Sequence, residues 1–144
     1  MMKARSAKEI VLRMPNAIGT LNTVAKALSD AGVNMLALSA WVEGDHVVLR
    51  LLADDAVRAS DLLRAQKHAV REVDVVVTEV PHKPGMLRHV TEQLAKDEID
   101  IHHLYVTAAA GQEHALVVFA TANNDRAIVR LNAAAGAPDA PRPK

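Results

Sequence analysis

Cysteine is absent from the 144 residues. Disulfides, thiolate nucleophiles and thiolate metal sites are thereby excluded, and the lack fits a reducing compartment. Aromatic residues are nearly absent too: Trp41, Tyr105 and Phe119 make up 2% of the chain. RNA-recognition sheets stack bases on aromatic rings, and this chain has almost nothing to stack on. No charge of one sign dominates. Lys plus Arg is 17 and Asp plus Glu is 17, so the net charge is zero. Phosphate neutralisation needs a basic excess, so no nucleic-acid partner is expected. Long apolar runs are missing as well. Arg50 interrupts Val47–Leu52, and nothing approaches the roughly 20 apolar residues of a spanning helix. The stretch MMKARSAKEI is basic but lacks the apolar core of a signal peptide. A soluble, cytoplasmic protein without a membrane partner is the expectation. The six glycines are scattered singly. No G-x-G-x-x-G, P-loop, G-x-S-x-G or H-E-x-x-H pattern occurs.

What the chain does have is aliphatic material and a repeat. Hydrophobic residues are 50% of the sequence, enough for the core of one ordinary domain or two small ones. Residues 14–41 read MPNAIGTLNTVAKALSDAGVNMLALSAW, and residues 80–107 read VPHKPGMLRHVTEQLAKDEIDIHHLYVT. At a shift of 66, Pro15 meets Pro81, Gly19 meets Gly85, Val24 meets Val90 and Leu28 meets Leu94. Further on the shift becomes 68, so that His46 meets His114 and Leu63 meets Leu131. The two extra residues fall in AAAGQE, a turn, where insertions are tolerated.

Each copy has the same periodicities. Glu9–Met14 reads as a strand. Leu21, Val24, Leu28 and Ala31 mark one face of a helix, which Gly32 closes. Val33–Val42 and His46–Ala53 read as strands around the turn Glu43-Gly44-Asp45. A second helix, capped by Asp54 or Asp55, runs to about Lys67. The valine-rich stretch Val70–Val80 must hold both the last strand of the first unit and the first strand of the second. Then follow a helix marked by Leu87, Val90 and Leu94, strands at Ile99–Val106 and Ala115–Thr121, and a helix at Asn124–Asn132. The fold class is α+β: two ferredoxin-like βαββαβ units, each an antiparallel sheet with helices on one face. The expected limits are 8–73, 74–132 and a disordered tail at 133–144. A fourth strand of the second unit would fall at 137–141, which reads APDAP. Proline cannot donate to a ladder, so the second unit is expected to lack its last strand. That would leave an open edge at Val73–Val80; this edge, or the apolar strand Val33–Val42, is a template for pairing.

A ferredoxin-like fold names no function. Metal carriers of this shape use paired cysteines, and acylphosphatases use a loop arginine; Arg13 stands alone, without a phosphate-cradling glycine cluster. His102 and His103 are adjacent on a strand and point to opposite faces. His82 and His89 straddle a loop and a helix. Neither pair makes a metal site, which needs three or more convergent ligands. What remains is the loop between the first strand and helix of each unit, Pro15–Leu21 and Pro81–Leu87. Its glycine permits a tight turn and close approach to a ligand. The helix start offers free N–H groups and a positive dipole end, suited to a carboxylate. Asn16 both donates and accepts, as a zwitterion requires. A plain turn into a helix explains the same residues.

The strand, then Asn16-Ala17-Ile18-Gly19-Thr20-Leu21, then an amphipathic helix and Gly32-Val33-Asn34-Met35, resembles the ACT domain. His82-Lys83-Pro84-Gly85-Met86-Leu87 followed by Glu98-Ile99-Asp100-Ile101 resembles a second copy, and 8–132 resembles the small tandem ACT proteins. The resemblance implies a non-enzymatic sensor of amino acids without a cofactor or metal. ACT units pair side by side, so a homodimer is implied, with a metabolic enzyme as a further partner. The ligand-binding residues it implies are Asn16, Ala17, Ile18, Gly19, Thr20, Leu21, Asn34 and Met35 in the first unit. In the second they are Lys83, Gly85, Met86 and Leu87. Leu21 and Leu87 match the family's first core residue of the helix. Ile18 stands where proline is commoner, and His82 where Asp or Asn is. The alternative is a regulatory or assembly subunit that pairs with an enzyme and binds no ligand. An enzyme on this scaffold would need a nucleophile–base constellation, which the residues do not offer.

Overall fold

The structure, a computed structural model, describes residues 3–135. The elements run β1 (Lys3–Pro15), α1 (Thr20–Asp30), β2 (Met35–Glu43), β3 (His46–Ala53), α2 (Ala56–Ala65) and β4 (Val70–Pro81). They continue with α3 (Met86–Lys96), β5 (Ile101–Thr107), β6 (His114–Thr121) and α4 (Asn124–Ala135). Lys8–Asp74 form one compact unit, and residues 3–7 join the residues from Val75 onward in the other.

The first unit is an antiparallel sheet with strand order β2-β3-β1-β4. Ile10, Leu12 and Met14 of β1 lie opposite Leu51, Leu49 and Val47 of β3. Successive side chains of a strand alternate between faces, so these residues share one face. Val24 and Leu28 of α1 and Ala59 and Leu63 of α2 close over it in a single core. At roughly 1.5–3 kcal/mol for each fully buried Leu or Ile, this aliphatic layer is the main stabilising element. On the other face Glu9 is fully buried and accepts a hydrogen bond from Arg50 Nη1 at 2.7 Å. Lys8 and Asp74 form an exposed ion pair where the unit begins and ends. Asp74 holds the Lys8 ammonium above its ordinary range, mainly through their hydrogen bond.

The second unit repeats the plan, with strand order β1-β4-β6-β5. Val76, Val80, Val117 and Phe119 meet Val90 and Leu94 of α3 and Ala127 and Leu131 of α4. Its outer strand is Lys3–Ala7. Ala4 is buried in this core. Its N–H donates to Asn132 Oδ1 at 2.7 Å, and its C=O accepts from Asn132 Nδ2 at 3.1 Å. A side-chain amide thus satisfies both backbone polar groups of one edge residue.

Three expectations are changed by this arrangement. β1 starts at Lys3 rather than near Glu9. Polar Lys-Ala-Arg-Ser-Ala has little strand propensity; pairing and Asn132 decide its conformation. β4 is flanked by β1 and β6, so Val73–Val80 is no open edge. And α4 runs to Ala135, so the expected tail does not begin at 133. No strand follows α4 among the described residues; positions 137–141 lie outside them.

Candidate functional site

The candidate loops have one geometry in two copies. In the first, Asn16 N–H donates to Asp45 C=O at 2.8 Å; in the second, His82 N–H donates to Glu113 C=O at 2.8 Å. Each loop is thereby tied to the hairpin of its own unit. Thr20 N–H then donates to Ala17 C=O at 3.2 Å, and Met86 N–H to Lys83 C=O at 3.4 Å. Gly19 and Gly85 enter their helices at φ 88° and 89°. That left-handed region is costly for a residue with a Cβ. A Cβ at either glycine would meet nothing within 4 Å, so backbone conformation, and no steric neighbour, demands glycine here.

Neither helix has a side-chain N-cap. Thr20 Oγ1 donates to Ala17 C=O at 2.9 Å, and Thr23 Oγ1 to Gly19 C=O at 3.1 Å. The helix hydrogen bonds begin with Thr23 N–H to Gly19 C=O at 3.0 Å. Among the N–H groups at the helix start, that of Thr20 is engaged by Ala17 C=O. Leu21 N–H, and Asn22 N–H beside it, have no acceptor within the helix. Asn16, Ala17 and Ile18 are exposed.

Leu21 and Leu87 are not core residues: they are 42% and 44% exposed. Helical side chains lean toward the helix N-terminus, so a leucine in the first turn projects over the loop rather than onto the sheet. The core of each helix starts three residues later, at Val24 and Val90. Met35 and Met86 are half-buried against the two cores. Lys83 is exposed, and its N–H donates to Pro81 C=O at 3.0 Å.

Asn34 and Met35 lie at the other end of α1. With 11 residues in α1 and about 1.5 Å of rise per residue, they stand roughly 16 Å along the axis from the Gly19 loop. One amino acid cannot touch both groups within this unit. At this end Ala25, Leu28, Ser29, Gly32, Val33, Asn34 and Met35 line a shallow concavity of about 330 Å³. Asn34 is fastened to β3 by its backbone: Asp54 N–H donates to Asn34 C=O, and Asn34 N–H to Asp54 Oδ1, both at 3.0 Å. Nothing in the local sequence marks Asp54 for this contact; its spacing suggests only a helix cap. Asp55 is the cap, accepting from Arg58 N–H at 3.1 Å.

The loops differ in charge. Residues 15–23 of the first contain no ionisable side chain, whereas 81–89 of the second hold His82, Lys83, Arg88 and His89. Arg88 is paired with Glu92 at 2.7 Å. Among the described residues no group of three or more His, Asp or Glu could hold a metal ion. No helix among them is long and apolar enough to cross a membrane.

Two four-stranded sheets of one strand order, each with two helices and a glycine at the start of the first, define an ACT-like pair. The family model for the ACT domain pair matches residues 6–133, so the chain belongs to that family. Among solved structures, protein BT0572 from Bacteroides thetaiotaomicron is 28% identical, with a TM-score of 0.84 over 92% of this chain and 91% of that one. The ligand-free regulatory subunit of aspartate kinase from Thermus thermophilus shares the fold. It is 14% identical, with a TM-score of 0.63 over 91% of this chain and 95% of that one. No curated protein matches the chain.

Proposed function

We propose that the protein is a non-catalytic regulator of amino acid metabolism that binds an amino acid at the loop between β1 and α1. The observation that carries this reading is the uncharged first loop. It is anchored by Asn16 to the hairpin and turned by Gly19, and it presents helix-start N–H groups beside an exposed side-chain amide. Those groups suit the carboxylate and ammonium of one small zwitterion. Likeness to an aspartate kinase regulatory subunit supports a regulatory role with a metabolic enzyme as partner, and the lack of cysteine suits a reducing compartment such as the cytoplasm. The separation of the loop from Asn34 and Met35 supports a homodimer. A ligand held by the loop of one copy would reach the concavity beside Asn34 in the other. β2 is an edge strand of its unit with Leu36, Leu38, Trp41 and Val42 exposed, which suits such pairing.

The test is thermal unfolding with each standard amino acid at millimolar concentration. A ligand at a hundredfold excess over its dissociation constant stabilises the folded state by about 2.7 kcal/mol. That raises the melting temperature by roughly 2–4 °C per kcal/mol. Asn16→Ala should weaken the effect with the fold intact. Gly19→Val should abolish it by forcing a β-branched residue into the left-handed region. If no amino acid shifts the curve or the Trp41 emission, the assembly-subunit reading replaces this one.

A further inference from the structure

The two units repeat one backbone brace with different side chains. At the start of β2, Asp54 N–H donates to Asn34 C=O at 3.0 Å; at the start of β5, Ala122 N–H donates to Asp100 C=O at 3.0 Å. In the first unit a carboxylate closes the ring, because Asn34 N–H donates to Asp54 Oδ1 at 3.0 Å. Ala122 has no side chain that could do the same. The residue being held also differs. Asn34 carries an amide that donates and accepts. Asp100 carries a carboxylate, which only accepts when ionised, and its Oδ2 lies 3.7 Å from His102 Nε2.

We infer that Asp54 is the positioning residue that fixes Asn34 for the ligand, and that ligand capture is confined to the first unit; this rests on the sensor reading above. Asn34 lies between α1 and β2, outside both elements. Its peptide orientation determines where its side chain projects beside the concavity. With its N–H and its C=O both bonded to Asp54, the peptides on either side of the Asn34 Cα are held, and the residue cannot turn about its φ and ψ without losing a hydrogen bond. Donor chemistry then separates the units. The Asn34 amide can donate to a ligand carboxylate, whereas ionised Asp100 only accepts, and Ala122 has no side chain to brace it. Pre-organisation of the recognising group improves affinity because less ordering remains to be done on binding.

Isothermal titration uses the standard amino acid that gives the largest melting shift with the wild-type chain. The expected stoichiometry is one ligand per chain. Asp54→Ala should weaken binding about tenfold, the equivalent of one lost hydrogen bond to a charged group. Asp54→Asn keeps an acceptor oxygen and should restore most of the affinity. Asp100→Asn should leave affinity unchanged. Amide hydrogen exchange gives a reading without any ligand: the Asn34 N–H should be protected in the wild type and exchange faster in Asp54→Ala. Two equivalent sites per chain, unaltered affinity in Asp54→Ala, or unaltered Asn34 protection would each overturn the inference while the sensor reading stands. A wild-type chain that binds no amino acid would overturn both.

Discussion

The two units of this chain share a plan and differ in how they are closed. The first runs continuously from Lys8 to Asp74, with an ion pair between its two end residues. The second takes its outer strand from residues 3–7, more than sixty positions away in sequence from the rest of it. The first sheet hides a charged pair, Glu9 with Arg50, whereas the second fastens its borrowed strand with a neutral amide, Asn132. The lesson is that a duplicated sequence need not produce two self-sufficient copies. No strand follows α4 among the described residues, and β1 is long enough to serve both copies. β1 and β4, with 13 and 12 residues, are well beyond the five or six usual for a strand.

The comparison can be broken from either side. The largest effect should come from a chain that begins at Lys8. It removes Ala4 from the second core and roughly four ladder hydrogen bonds at about 1 kcal/mol each. The second unit should melt first or fail to fold, while the first keeps its structure. Trp41 belongs to the first unit and Tyr105 to the second, so fluorescence reports the two transitions separately. Coincident loss of both signals would mean that the units are not independent.

Arg50→Leu should act on the other unit. Removing one partner of a buried pair costs about 3 kcal/mol or more, so the Trp41 transition should move and the Tyr105 transition should not. Asn132→Leu comes next. Leaving the Ala4 peptide without its amide partner costs about 1–2 kcal/mol. Faster exchange at the Ala4 N–H is the direct readout, with the first unit unaffected. The smallest effect is a gain. Glu98 follows α3 at φ 55°, where the first unit has Gly32 at φ 73° after α1. Glu98→Gly relieves a left-handed residue and should stabilise the second unit by about 1 kcal/mol, read as a higher midpoint in urea. No gain would mean that the Glu98 side chain makes up for its backbone.

Much of this protein was legible in the residues alone. The repeat at a shift of 66 to 68, the strand-helix order and the glycine-entered loops follow from local chemistry. Periodic apolar positions, hairpin turns and the conformational freedom of Gly19 and Gly85 act over a few residues, so a linear reading captures them. The absence of cysteine likewise excluded thiol chemistry. What only the tertiary structure decided involves partners distant in the chain. Lys3–Ala7 has no strand pattern of its own and becomes a strand because β4 and Asn132 hold it. Leu21 has the spacing of a core residue but sits one turn beyond the sheet. Asn34 and Asn16 look like one site on paper and stand at opposite ends of α1. Asp54 acquires its role only because β3 ends beside the start of β2. Side-chain spacing records which face of an element is apolar; where that face ends, and what lies across from it, is set by packing between segments that the sequence keeps apart.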